Sequence, residues 1–292
     1  MPRTYLRSFR VRYYECDPYG HVNNANYLRY ATQAALEASA EAGYDTAKYE
    51  QLGTAWFIRE AGIQYHRPAK YGEALSVKTW VSDFRRVRAD ARREYELALA
   101  TTGEPVASLY TDWVYLDTQT EQPVRIPEEM IAAFFPEGLP DEAPRREPFP
   151  EPPPAPPGAY TARRRVSWHH LDTAGHMNSA WYLSLIEDVA LEAAAHAGWP
   201  LARVAEAGLA LYARASQVEY LRPARLDEAL RVTTYLSAMR RAGAVRHYGV
   251  NLESGEPVAR AQTVWVCVDT KTSRPTPFPQ AWVQDFAGQL VS

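Results

Sequence analysis

Five residues recur in this chain at one spacing: Asp17, Gly20, His21, Asn23 and Tyr27, then Asp172, Gly175, His176, Asn178 and Tyr182. A carboxylate, an imidazole and a carboxamide so close together are the tools of acyl transfer. The carboxylate attacks a carbonyl or deprotonates water, and its polar neighbours orient the reacting groups. Each constellation precedes a helix-like run, whose first N–H groups and positive dipole end would stabilise a developing oxyanion. A plainer reading has Asp and Asn cap the helix, Gly make a turn and His sit in the core. Capping constrains one or two positions, so five paired positions exceed what it demands.

The elements that must position these groups are legible around them. Phe9 to Cys16 alternates and is rich in aromatics, which predicts a strand. Asp17-Pro18-Tyr19-Gly20 is turn chemistry. From about Asn24 to Ala42 the composition is helical, with Asn23 or Asn24 as N-cap and Gly43, like Gly198 in the second half, just past the end. The stripe Tyr27, Ala31, Ala34, Ala35, Ala38, Ala42 is narrow, and Leu183, Ile186, Val189, Ala190 and Ala193 repeat it. Such a stripe suits a helix lying close against a sheet. Four strand-like runs follow: Ala55 to Tyr65, Ala74 to Asp83, Asp90 to Ala100 and Pro105 to Leu116. That order predicts an α+β unit, a long antiparallel sheet curling round one helix.

The unit occurs twice. A shift of 155 residues superposes Phe9 to Leu75 on Arg164 to Leu230 without a gap, and 27 of the 67 positions are identical. After a three-residue deletion, Trp113 meets Trp265 and Asp117-Thr118 meets Asp269-Thr270. This is an internal duplication. Between the copies, Pro136 to Tyr160 holds 10 of the chain's 22 prolines. So much proline neither continues a helix nor pairs in a sheet, and it reads as an extended tether ahead of an SH3-type ligand. The expected organisation is a domain over 1–135, a proline-rich linker over 136–160 and a second domain over 161–292. The net charge of −3 provides no basic field for nucleic acid. Two cysteines, Cys16 and Cys267, exclude a disulfide scaffold and a four-cysteine zinc site. With no signal-like start and no 18-residue apolar run, a cytoplasmic protein without a membrane span is expected.

The run Asp17-Pro18-Tyr19-Gly20-His21-Val22-Asn23-Asn24-Ala25-Asn26-Tyr27 resembles the signature of hotdog-fold thioesterases of the 4-hydroxybenzoyl-CoA thioesterase type. It is also similar to the run Asp-x-Asn-x-His-Val-Asn-Asn of acyl-ACP thioesterases, with Tyr19 and Ala174 standing where that run has its inner Asn. The Tyr-x-Arg-Pro-Ala segments at Tyr65 and Tyr220 resemble the family's strand after the central helix. The resemblance implies two tandem hotdog domains paired as an intrachain pseudo-dimer, with assembly beyond that pair left open. It implies hydrolysis of a fatty or aryl acyl-CoA to free acid and CoA. Asp17 and Asp172 match the nucleophile or general base. His21, His176, Asn23 and Asn178 match polar residues that orient carboxylate, water or substrate, and helix amides would polarise the carbonyl. No metal and no cofactor is implied; coenzyme A or acyl carrier protein enters as part of the substrate.

Tyr27 and Tyr182 are expected to contact substrate. Arg85-Arg86 and Arg240-Arg241 recur at one place and would hold the phosphates of CoA through forked hydrogen bonds, unless they are solvated strand-end charges. His169-His170 faces Tyr14-Glu15 in the alignment, so a surface position is preferred to a metal site. Cys16 becomes Leu171, which argues against a cysteine nucleophile. Trp56, Phe57 and Trp80 read as core. Three alternatives stand beside acyl-CoA hydrolysis. One is an acyl carrier protein substrate, which favours a broad basic surface. Another is a hotdog hydratase or dehydratase, whose His follows its Asp by five residues where here it follows by four. The third is a non-catalytic acyl-CoA binder, for which one copy could have lost its motif.

Overall fold

Periodicity and turn chemistry divide the chain into two units, Met1–Pro148 and Phe149–Ser292, in a computed structural model that describes residues 1–140 and 145–291. Residues 141–144 of the expected linker lie outside the described residues, as does residue 292. In the first unit the elements run β1 (Thr4–Arg10), α1 (Asn24–Glu41), α2 (Thr46–Leu52), β2 (Thr54–Tyr65), β3 (Ala74–Arg85), β4 (Asp90–Leu99), β5 (Pro105–Asp117) and α3 (Glu128–Phe134). The strands pair antiparallel in the order β1-β3-β4-β5-β2. The second unit repeats this with β6 (Tyr160–Arg165), α4 (Ser179–His196), α5 (Leu201–Glu206), β7 (Leu209–Tyr220), β8 (Ala229–Met239), β9 (Gly243–Leu252) and β10 (Pro257–Asp269). Its order is β6-β8-β9-β10-β7, and a short β11 (Arg274–Pro275) and α6 (Gln280–Asp285) close it.

The small-residue stripe does what its spacing suggests. Ala31 and Ala34 have no exposed surface, and α1 lies against β1, β3 and β5. Side chains on paired strands face it in register: Val81 beside Arg93, Thr79 beside Tyr95, Val77 beside Leu97. Alternate residues point to the other face of the sheet, as strand geometry requires. Two expectations shift. The first strand lies at Thr4–Arg10, not Phe9 to Cys16, because it ends where its partner begins, Arg10 opposite Ala74. Beyond it, Tyr13–Glu15 forms a 3-10 turn, drawn in by the Glu15 carboxylate accepting the Arg12 N–H at 2.7 Å. Trp80, expected in the core, is half-buried beneath Lys78, whose ammonium lies 4.9 Å from its ring. No helix among the described residues is long and apolar enough to cross a membrane.

The proline-rich segment is more than a tether. Arg146 is 5% exposed at its side chain and reaches three carboxylates: Asp83 on β3 at 2.7 Å, Asp90 on β4 at 2.6 Å and Asp112 on β5 at 3.3 Å. Arg92 forks onto the same Asp112, both bonds at 2.7 Å. In the second unit, Phe149 lies 4.9 Å beneath the Arg260 guanidinium and Glu151 pairs with the same arginine at 2.7 Å. Each unit thus holds its own end of the segment down by an arginine. Removing one partner of a buried ion network leaves charges unpaired, which costs about 3–5 kcal/mol. Arg146→Ala is therefore expected to lower stability by about that amount in urea unfolding; an unchanged midpoint would refute the buried network.

Candidate active site

Each motif forms a closed loop between the first strand and the central helix. The Asp17 N–H donates to the His21 carbonyl at 2.7 Å, and the Gly20 N–H returns to the Asp17 carbonyl at 2.9 Å. Gly20 has φ +76°, a left-handed conformation that glycine adopts without a Cβ clash. The Asp17 Oδ1 then accepts the N–H groups of Tyr19 at 2.8 Å and His21 at 3.1 Å. The second loop repeats this pattern: Asp172 Oδ1 accepts from Ala174 at 3.0 Å and His176 at 3.4 Å, and Gly175 also has φ +76°. In both loops Oδ2 makes no hydrogen bond among the described residues. The loop thereby fixes the carboxylate by one oxygen and leaves the other for chemistry.

The loop hands over directly to the helix. Asn23 Oδ1 accepts the Ala25 N–H at 3.1 Å, and Asn178 Oδ1 accepts the Ala180 N–H at 3.1 Å. Both asparagines are N-caps. The Asn23 N–H donates to the Glu15 carbonyl, and the Asn26 N–H to the Asn23 carbonyl, each at 2.9 Å. Of the amides expected to polarise a carbonyl, these are already spent. The helices themselves begin at Asn24 and Ser179. His21 is half-buried and pairs through its backbone with Lys70. Burial lowers its imidazole below the ordinary 6.5, which leaves it neutral at pH 7.

Other expected residues have different places. Tyr27 and Tyr182, expected to touch substrate, are each 2% exposed. The Tyr27 hydroxyl accepts the Ala69 N–H at 3.1 Å, and its ring meets Tyr65 edge-on at 5.3 Å. Burial pushes its phenol up to about 12. Tyr182 stands likewise against Tyr220 at 5.2 Å and the Ala224 amide. These tyrosines pin the Tyr-x-Arg-Pro-Ala segments to the helices. Arg85 pairs with Asp83 at 3.3 Å, and Arg86 engages Glu128 and the Ile126 carbonyl. Arg240 and Arg241 are exposed. β3 starts beside the motif loop and ends at Arg85, so roughly 35 Å of strand separates that arginine from its own motif.

Sequence reasoning missed what supports the first loop. Glu15 is 7% exposed; its Oε2 accepts the Tyr30 hydroxyl at 2.6 Å, and its carbonyl accepts the Asn26 side-chain N–H at 2.8 Å. Asn26 Oδ1 in turn accepts from Arg29 at 2.6 Å. In the second loop His170 replaces Glu15: its Nδ1 accepts the Ser167 N–H at 3.0 Å, and its ring lies 4.9 Å from Trp181. His170 is thus half-buried where a surface place was expected. The signal available was Tyr14-Glu15 against His169-His170, a difference flanking an otherwise repeated motif. Asn23→Ala is expected to cost about 1 kcal/mol in urea unfolding, and Asn23→Ser to restore most of it. Equal losses for both variants would show that capping is not what Asn23 does for stability.

Comparison with known proteins identifies the family. The family model described as thioesterase-like superfamily matches residues 11–134 and 166–287, one match per unit. The chain is 23% identical over 276 residues to a chloroplastic dodecanoyl-[acyl-carrier-protein] hydrolase of Cinnamomum camphora, covering 89% of this chain and 67% of that protein. It is 30% identical over 114 residues to the long-chain acyl-CoA thioesterase FadM of Escherichia coli, covering 38% of this chain and 83% of that one. The solved 12:0-ACP thioesterase of Umbellularia californica superposes with a TM-score of 0.71 at 20% identity, covering 94% of each chain. The chain belongs to the thioesterase-like superfamily, as a thioester hydrolase built from two hotdog units.

Proposed function

We propose that the chain hydrolyses a fatty acyl thioester carried on acyl carrier protein, with Asp17 and Asp172 as the reacting carboxylates. The observation that carries the reading is the doubled loop, in which two backbone N–H groups hold Oδ1 while Oδ2 has no hydrogen bond among the described residues. Oδ2 takes a proton from water as the water oxygen adds to the thioester carbonyl, or adds to that carbonyl itself to give a mixed anhydride that water opens. In either course a C–O bond forms and the C–S bond breaks; in the first the carrier thiol leaves with the proton taken from water, and in the second it leaves as thiolate and is protonated from the water that opens the anhydride. The positive end of the central helix stabilises the developing oxyanion. Neutral His21 orients water or substrate beside the carboxylate. No resident metal or redox group takes part in the proposed reaction.

Two observations support the carrier protein over coenzyme A. The acyl-carrier-protein hydrolase relative matches over most of the chain, while the acyl-CoA relative matches over less than the length of one unit. Arg85 and Arg86, which had favoured CoA phosphates, are engaged with acids and a carbonyl of their own unit. The exposed Arg240 and Arg241 favour the second reading, a fatty or aryl acyl-CoA substrate.

Replacing Asp17 and Asp172 together by Asn should abolish turnover with the fold retained by circular dichroism, and each single variant should keep a share of it. A double variant at the wild-type rate would refute the mechanism. With one acyl chain offered on both carriers, kcat/KM should be at least about tenfold higher on the carrier protein, a difference of roughly 1.4 kcal/mol in transition-state stabilisation. Equal or reversed values would restore coenzyme A.

A further inference from the structure

Arg93 on β4 and Arg246 on β9 occupy one position of the duplicated fold. Arg93 stands between Val81 and Thr111, and Arg246 between Leu236 and Thr263. Both face the helix side of their sheets and are nearly sealed from water, at 6% and 5% exposure. Each guanidinium lies over a phenylalanine ring, Phe134 at 5.4 Å and Phe286 at 5.6 Å. A buried cation is tolerated when an acid or several acceptors meet it. Arg146 shows that solution with three aspartates. Arg93 has neither a hydrogen bond nor an ion pair among the described residues. The polar groups nearest it satisfy one another: Tyr95 and Thr111 share a hydrogen bond of 2.8 Å, and Trp113 Nε1 donates to Thr111 at 2.6 Å.

In the second unit the same place is filled from within. Arg246 reaches Thr234 at 3.3 Å and the Gln289 Oε1 at 3.5 Å, and Gln289 Nε2 donates to the Ala193 carbonyl of α4 at 3.3 Å. The 152-residue shift that pairs Phe134 with Phe286 pairs Gln289 with Glu137, which turns away to the N-terminal ammonium. Among the described residues, the first unit therefore has the cation without the plug.

We infer that Arg93 is a carboxylate-binding site, and that its occupant is the carboxylate of a fatty chain. That carboxylate comes either from the far end of an acyl substrate or from a free fatty acid. The surroundings suit a chain: Val81, Phe84, Phe134 and Phe135 form an apolar cluster against which Tyr44 and Tyr49, just past α1, are packed. The motif loop sits at the other end of α1, roughly 25 Å away along the helix, so only a long chain spans the two. That the ligand is a fatty chain rests on the proposed thioesterase activity; the anion site does not.

Calorimetric titration with hexadecanedioate and with palmitate tests the site without turnover. Wild-type protein should bind one carboxylate per chain, Arg93→Met should weaken this at least about tenfold, and Gln289→Ala should raise the stoichiometry to two. Without ligand, Arg93→Met should raise Tm by about 3 °C, since a cation with no acid partner among the described residues has been replaced by an apolar side chain. Faster hydrolysis of an ω-carboxyacyl thioester than of its methyl-ended counterpart, lost in Arg93→Met, assigns the carboxylate to the substrate. Competitive inhibition by palmitate, lost in the same variant, assigns it to the free acid. No binding of either acid to wild type, or binding untouched by Arg93→Met, overturns the inference. So does a variant that loses its fold, because Arg93 would then be a structural cation.

Discussion

One carboxylate oxygen in each unit holds the site together. Asp17 Oδ1, like Asp172 Oδ1, accepts two backbone N–H groups of its own loop. Those amides point into the turn, where the carboxylate oxygen gives them an acceptor within the protein. The turn in turn places Asn23 and Asn178 at the helix start, where they cap it. The acid proposed to meet substrate is thus the group that shapes its own loop. Its second oxygen is aimed by backbone geometry, which is stiffer than a free side-chain rotamer.

The two units reach that loop by different routes. Below the first lies a buried acid, Glu15, braced by Tyr30 and Asn26. Below the second lies an imidazole, His170, packed on Trp181. Both accept the equivalent backbone N–H, from Arg12 and from Ser167. What is repeated is the acceptor at that point, and two chemistries supply it. The charge under the motif nevertheless differs, which gives the two sites different electrostatic surroundings in one chain.

Charge is also divided between the faces of each sheet. In the first unit the aspartates of β3, β4 and β5 lie on the side away from α1, where Arg146 from the proline-rich segment covers them. Among the described residues the helix side is apolar and aromatic apart from Arg93 and the buried threonines Thr79 and Thr111. A segment chosen for stiffness by its prolines therefore acquires a second duty from a single arginine, and the tether becomes part of the unit it leaves.

The duplication, the helix with its alanine stripe, the strand runs and the five paired motif residues were all legible in the chain. They depend on local rules: period 2 against period 3.6, glycine at positive φ, a cap residue before a helix. Tertiary structure decided the rest. Arg10 ends the first strand because Ala74 stands opposite it, a matter of register across more than sixty residues. Tyr27 and Tyr182 share the motif's spacing, yet their hydroxyls face Ala69 and Ala224 and they serve as fasteners. Arg85 and Arg86 recur like a binding motif, and their own acids engage them at the far end of the strand. Arg146 and Arg93 look alike as letters; one lies buried among three carboxylates and the other among aromatic rings. Local order follows from each residue's own backbone preferences, whereas a side chain's role depends on burial and on partners that only the folded chain brings within reach.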